Sequence, residues 1–360
     1  MRYRTATLLA AEDQTAGAGV KVIDINVADI ISRIVIRWQV TMATVGMSSY
    51  QHKDITKIEL IDGSDVLHSL DGGQNQALCI FDRKCPTMNE GGIINANALI
   101  SYYGIDFGRF LFDPQLAFDP KKFRNPQLRI TYDENVADTT ATANELEIWA
   151  ECFDERVPAP MGFLSAREFY SYTPGASGVY EYILLPTDRL LRKMLIQGYK
   201  KSYEPWYQVS EARLDEDNDK RIPFDWNLEK YFQVRKGIDP PVKEIVAIGH
   251  SGSACVFYFT PTDYWATFVT QGQGAGTQAG TGASGKGGAF TIATGGSTQS
   301  QGIVTGWLPN HCFQFPFGDQ DDMADWYDVT KIGNLRLRLK SGAGYATSAC
   351  AVVLQQLRKY

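Results

Sequence analysis

Alternation with period two runs along most of this chain, and it restricts the possible folds more than any other feature. Ile36, Trp38, Val40 and Met42 fall on one side of a stretch whose other side carries Arg37, Gln39 and Thr41. Leu128, Ile130 and Tyr132 alternate with Arg129 and Thr131, and Leu335, Leu337 and Leu339 alternate with Arg336 and Arg338. Leu146, Ile148, Ala150 and Cys152 alternate with Glu145, Glu147 and Glu151. Successive side chains of a strand point to opposite faces, so this pattern marks half-buried antiparallel strands. Short runs of this kind, separated by Gly, Pro, Asn and Asp clusters, predict sandwiches or barrels and hence an all-β fold. Helix is expected only around residues 92–102 and 163–172.

At about 150 residues per domain, a chain of 360 residues favours two domains. Hydrophobic residues make up 44% of it and charged residues 21%, enough for two cores and too apolar for wholesale disorder. The most linker-like interior stretch is FDERVPAPMGFLSAREFYSYTPGASG (153–178), which opens on two prolines and closes on a Pro-Gly and Ser-Gly cluster. The expected division is a first domain over 1–155, a linker over 156–178 and a second domain over 179–360. Residues 271–302 are rich in Gly, Gln, Thr and Ser and carry a single charge, Lys286. Such a segment cannot bury a core, which predicts an exposed surface loop inserted between strands.

The two halves resemble each other. FDPQLAFDPKKFRNPQLRITYD (112–133) and FGDQDDMADWYDVTKIGNLRLRLK (317–340) both run from aromatic and acidic residues to Asn and a Leu-Arg-aliphatic strand. Asn125, Leu128, Arg129 and Ile130 correspond to Asn334, Leu335, Arg336 and Leu337. NVADIISRIVIR (26–37) matches LPTDRLLRKMLIQ (185–197), with Asp29 and Arg33 falling where Asp188 and Arg192 fall. Each is followed by an aromatic-bearing strand and a Leu-Asp turn, and each half closes on a strand, ELEIWAEC (145–152) or CAVVLQQL (350–357). The shared order of these four matches predicts an internal duplication.

Two similar all-β halves, LLPTDRLLRKMLIQ opening the second, FPFGDQDDMADWYD then NLRLRLK near its end, and the Gly-rich insertion between them suggest a family. The chain resembles the double jelly-roll major capsid proteins of tailless icosahedral viruses, the tectivirus- and corticovirus-like lineage. The resemblance implies two tandem eight-stranded jelly-roll sandwiches and a homotrimer of pseudo-hexameric outline that tiles an icosahedral shell. It implies as partners the neighbouring capsomers, minor capsid or penton proteins and an internal membrane, and as location the virion, assembled in the host cytoplasm. The 271–302 insertion would then project outward as a tower. The alternative is a two-domain β-sandwich lectin or receptor-binding spike, with glycoside hydrolase more distant.

Net charge is −6, and only Arg2 and Arg4 mark the N-terminus, so no sequence-specific nucleic-acid binding is expected. MRYRTATLLAAEDQ reads as neither a secretory signal nor a membrane anchor. Six scattered cysteines (Cys79, Cys85, Cys152, Cys255, Cys312, Cys350) without a CxxC pair predict reduced, mostly buried thiols. GHSGS (249–253) approaches a nucleophile elbow, with His250 or His311 as conceivable bases, but a hairpin between EIVAIG and ACVFYF is the simpler expectation. GTGASGKG (280–287) approaches a phosphate loop, yet Gly287 stands where Ser or Thr is needed. Asp215, Asp217 and Asp219 have the spacing of a calcium loop, but Lys220 and Trp226 stand where Gly and Glu belong, so a solvated turn is expected, as for DQDD (319–322). Glu145, Glu147 and Glu151 could serve sugar hydrolysis, but Trp149 is expected on the opposite, core side, where it could not stack on a sugar. Tyr199, Tyr203, Trp206 and Tyr207 suit either sugar stacking or burial between subunits. The chain is therefore expected to be non-enzymatic, with no catalytic, cofactor or metal residues.

Overall fold

The computed structural model describes residues 2–360 apart from 43–46, 86–88, 94–97, 137–140, 156, 252–254, 273–275, 285–286 and 293–296. In the first half, β1 (Tyr3–Asp13), β2 (Ala18–Asp24), β3 (Ile31–Met42), β4 (Ile55–Asp62) and β5 (Asp65–Leu70) precede a helix, α1 (Gly72–Arg83). The strands β6 (Asn89–Ile93), β7 (Ala98–Asp106), β8 (Pro126–Asp133) and β9 (Ala141–Phe153) follow. Two sheets face each other, in the orders β1-β9-β3-β7 and β2-β8-β4-β5. That is an eight-stranded jelly roll, with β6 added at the β7 edge.

The second half repeats this order. Its strands β10 (Gly162–Tyr172), β11 (Tyr180–Leu185), β12 (Leu191–Tyr199), β13 (Val209–Glu216) and β14 (Arg221–Asn227) precede α2 (Leu228–Lys236). An insertion follows, made of β15 (Val242–Ser251), β16 (Cys255–Tyr258), β17 (Pro261–Gly272), β18 (Gly276–Ser284), β19 (Ala289–Ile292) and β20 (Ser297–Pro309). The half closes with β21 (Cys312–Pro316), β22 (Leu335–Ser341) and β23 (Ala349–Lys359). Its sheets run β10-β23-β12-β21 and β11-β22-β13-β14. The chain is thus an all-β double jelly roll.

The predicted faces are the buried ones. Ile36, Trp38 and Val40 of β3, Leu128, Ile130 and Tyr132 of β8, and Leu146, Ile148, Ala150 and Cys152 of β9 share one core with Ile58 and Leu60 of β4. Leu335, Leu337 and Leu339 of β22 join Met194, Ile196, Leu214, Val352 and Leu354 in the second. Burying each such large side chain contributes about 1.5–3 kcal/mol, so the two alternating sets are the main reason the sandwiches close. Cys79, Cys152, Cys312 and Cys350 are buried free thiols and Cys85 is half-buried.

Hydrogen bonds show the duplication residue by residue. Ile31 exchanges backbone hydrogen bonds with Phe118 at 2.8 and 2.9 Å, and Leu191 does the same with Tyr327 at 3.0 and 3.2 Å. Both strands then carry the same irregularity, between the pairs Ile31–Cys152 and Arg33–Glu151 and between Leu191–Gln356 and Lys193–Gln355. Arg33 therefore corresponds to Lys193, one residue away from the Arg192 that spacing alone suggests. The acid–arginine pair Glu59–Arg129, joined across strands at 2.8 Å, recurs as Asp215–Arg336 at 3.0 Å.

Four expectations are corrected. Residues 98–102 belong to strand β7, where Leu99, Ser101 and Tyr103 are buried in alternation, and 163–172 belong to β10, which pairs with β23 along its length. The helices of the described residues lie instead at α1 and α2, each opened by an N-cap side chain, Asp71 to the Gln74 amide and Asn227 to the Lys230 amide. The stretch expected as linker accordingly contains a full strand, β10. Within 271–302, the described residues form β18, β19, parts of β17 and β20 and a turn at Gly287 and Gly288 rather than an irregular loop. Their pairing uses backbone groups and needs no apolar side chain; at Gly302 a Cβ would stand 2.3 Å from the Thr267 carbonyl, so the glycine permits the close approach of β17. The hairpin between EIVAIG and ACVFYF does not form, because β15 pairs with β20 and β16 with β19.

Candidate functional site

The sequence-derived candidates for chemistry have structural occupations. Residues 249–251 of GHSGS end strand β15, and 252–253 lie outside the described residues. His311 is fully buried between the rings of Tyr50 and Tyr199, 5.0 and 5.1 Å away, and burial pushes its pKa down to about 3. Asp215 is buried against Arg336, the Asp217 carboxylate accepts the Asn334 amide at 2.9 Å, and Asp219 pairs with Arg213 and Arg338. In DQDD, Asp319 accepts the Asp321 amide and Asp322 the Ala324 amide, both at 2.9 Å, as turns do.

Glu151 is paired with Arg33 at 2.7 Å, and Glu145 and Glu147 share Arg37 at 2.6 and 3.7 Å. Trp149 is half-buried on this same face, not on the core side as expected: a period of two keeps residue 149 with 147 and 151, while 148 and 150 enter the core. The carboxylates nevertheless face arginines rather than one another across an open cleft. The aromatic cluster divides as well. Tyr199 lies under the Lys53 ammonium and Trp206 stacks on Phe232, whereas Tyr203 and Tyr207 stay 44% and 48% exposed.

Most of the buried polar chemistry gathers at α1, between the halves. Gln74, Asn75 and Gln76 are buried there. Gln74 donates to Gln197 of β12 at 3.2 Å, and Asn75 accepts the Gly104 amide at 3.0 Å. Gln76 donates to Asn89 at 2.8 Å and to the Tyr102 carbonyl at 3.1 Å, while Asn310 donates to the Gly73 carbonyl at 3.1 Å. At the far end of the helix, Asp82 pairs with Arg192 at 2.9 Å and Lys193 at 2.5 Å, all three nearly buried. Burial would raise the Asp82 pKa, but the two cations hold it well below the usual carboxylate range. These residues floor a cavity of about 390 Å³ walled by Tyr231, Trp307 and Phe313. Such networks were not legible beforehand, because the bonds that join α1 to the second half, to Arg192, Gln197 and Asn310, span more than a hundred residues.

The insertion is rooted in both halves. Its turn at Gly287 and Gly288 has φ of 58° and 74°, and a Cβ on Gly287 would lie 2.3 Å from the Tyr203 backbone, so only glycine fits. Tyr50 donates to the Gly287 carbonyl, and Glu204 accepts the Gly287 amide at 2.9 Å. This amide, the last of the phosphate-loop-like GTGASGKG, thus serves a side chain of the protein itself. Burial pushes Glu204 up to about 8 and Glu244, which accepts the Thr260 amide at 2.8 Å, up to about 7.

What the lone chain leaves bare is apolar surface on strands. On the insertion sheet, Ile245 and its cross-strand partner Ile303 are 76% and 51% exposed, beside Trp265 and Val269. Val20 and Val22 of β2, and Tyr182 and Leu184 of β11, are exposed at the second strand of each half. Exposed apolar patches of this kind mark association surfaces rather than catalytic clefts.

A double jelly roll with its insertion after the fifth strand and helix of the second half defines the class of fold, and solved structures share it. The major capsid protein of Sulfolobus turreted icosahedral virus is 10% identical with a TM-score of 0.62, over 99% of this chain and 96% of that one. VP54 of PBCV-1 is 11% identical with a TM-score of 0.60, over 99% and 93%. The major capsid protein of bacteriophage PM2 is 10% identical with a TM-score of 0.53, over 99% and 98%. No protein-family model and no curated protein matches the sequence. The fold implied by the sequence resemblance is thereby shown along the whole chain.

Proposed function

We propose that this chain is a viral major capsid protein, a structural subunit without catalysis. The observation that carries the reading is the pair of complete jelly rolls in one chain, matched over 99% of its length by capsid proteins. The paired carboxylates of β9 and the buried His311 weigh against a hydrolase. On this reading the functional units divide between β9 and β10, with residues 242–309 inserted into the second. Three copies supply six jelly rolls and make a capsomer of pseudo-hexagonal outline, which associates with neighbouring capsomers in the virion shell. Contacts with minor capsid proteins and an internal membrane, and assembly in the host cytoplasm, belong to the same proposal.

The test is the native mass of the purified chain by light scattering. A species near three times 40.1 kDa is expected, with shells or sheets visible by electron microscopy. A chain that stays monomeric at high concentration overturns the reading, and a sugar-dependent rise in its stability would favour the lectin instead.

A further inference from the structure

The cavity of about 390 Å³ at the end of α1 is enclosed by α1, α2, β21 and the foot of the insertion. Its volume falls in the range of roughly 300–1,000 Å³ usual for small-molecule sites. Among the described residues, six lysines and arginines line it against three aspartates, in a chain whose net charge is −6. Most of these cations are balanced singly. Arg235 has Asp239, Arg109 has Asp113 and Lys236 has Asp263. Arg192 and Lys193, each 2% exposed, have only Asp82 between them.

That leaves one buried positive charge without a carboxylate of its own at the floor of the cavity. Arg192 also donates to Gln355 at 2.8 Å and to the Gln320 carbonyl at 3.1 Å. The Lys193 ammonium carries three donors, and among the described residues only Asp82 accepts from it. Burial lowers the Lys193 pKa from its ordinary range, with Asp82 opposing the shift. An anion arriving beside it would relieve that cost. The walls are aromatic and fixed. Tyr231 stacks on Phe315 at 4.4 Å and donates to the Gln314 carbonyl, and the Trp307 indole donates to the Asp239 carbonyl at 3.2 Å. At the mouth, Phe110 and Ile238 are 53% and 65% exposed.

We propose that this cavity binds a small organic anion with a flat apolar body, its acidic group on Lys193 and Arg192 and its body against Trp307, Tyr231 and Phe313. Each part of the ligand answers a separate feature. An inorganic anion would leave the rings and the mouth uncovered, and a neutral apolar molecule would leave the second buried cation unanswered. A cation would meet Lys193. All of these residues belong to one chain, so the inference stands apart from the capsid reading.

The experiment titrates 2-naphthoate into the purified chain by calorimetry, beside 2-naphthamide, which has the same body without the charge, and acetate, which has the head alone. One naphthoate per chain is expected, with the amide and acetate each weaker by about tenfold or more. Equal binding of naphthoate and naphthamide, or no saturable binding of naphthoate, overturns the proposal. Lys193→Met leaves Arg192 and Asp82 as an even pair and is expected to weaken naphthoate by about tenfold while sparing naphthamide. Lys21→Glu on β2, at the opposite end of the sheet that β21 closes, should change neither. If Lys193→Met fails to fold, Ile238→Glu at the exposed mouth decides: naphthoate bound with undiminished affinity overturns the proposal. Binding by the dilute chain that vanishes on self-association overturns it too, since a neighbouring copy would then fill the cavity.

Discussion

α1 and α2 hold the same slot in the two halves and have opposite surroundings. Each follows the fifth strand of its jelly roll and starts at a side-chain cap on the third helical amide. α1 then buries nine consecutive residues, including three side-chain amides, between two jelly rolls; α2 buries three and leaves the rest exposed apart from the half-buried Arg235. Helix chemistry cannot explain the difference, since GGQNQALCIFDR is the poorer helix former, with two glycines at its start. The neighbour explains it. A helix beside a second jelly roll can be polar, because the polar groups find fixed partners, while a helix without one must be held by a narrow apolar stripe.

The most damaging test of this contrast is Asp82→Ala. Arg192 and Lys193 are each 2% exposed and would be left as buried cations with their carboxylate removed. A loss of about 3–5 kcal/mol is expected on urea unfolding. The matching change in the second half, Asp239→Ala, breaks the pair with Arg235 one turn away on the same segment and should cost under about 1 kcal/mol. Equal losses would show that α1 is no more deeply coupled than α2.

The α1 junction also gathers buried groups that titrate, which sharpens the contrast in pH. Burial lowers His68, bonded to Asn75 of α1, and His311 to about 3, and lowers His52 well below its ordinary 6.5. Their stabilising contribution is complete above pH 6.5 and is lost as pH falls toward 3. Glu204 and Glu244 work the other way: their contribution is complete below an ordinary 4.5 and is lost as pH rises through about 7 and 8. Between pH 4.5 and 6.5 the histidines favour higher pH and the two carboxyls favour lower pH, so their slopes oppose each other. Above 6.5 only the carboxyls act, so the urea midpoint should fall from pH 6.5 toward 8.5. Glu204→Gln with Glu244→Gln should flatten the alkaline side; a midpoint that climbs steadily to pH 9 would contradict the assignment.

The strand faces were legible in the sequence because burial on one side leaves alternation, as Leu335, Leu337 and Leu339 show. α1 was not, because three of its buried residues are amides in a network whose members Gln197 and Asn310 are remote in sequence; the one local signal was the reciprocal cap between Asp71 and Gln74. The insertion strands were hidden because Gly, Thr and Ser show no faces, and the duplication was displaced by one residue at β3 and β12 because hydrogen bonds, not charge spacing, fix register. The open sheet edges were out of reach altogether. Alternation says that β1 and β14 are strands, but only the topology shows that each ends its sheet among the described residues.

The smallest expected effects concern the two caps. Asp71 accepts the Gln74 amide at 2.6 Å while the Gln74 side chain accepts the Asp71 amide at 3.1 Å, so two otherwise unpaired donors are satisfied together. Asn227 accepts the Lys230 amide at 3.1 Å and has no such return bond. Asp71→Ala should therefore cost about 1–2 kcal/mol and Asn227→Ala about 0.5–1 kcal/mol in urea unfolding of the monomer. The order matters more than the size. Equal costs for the two variants would mean that the return bond from Gln74 adds nothing to the cap.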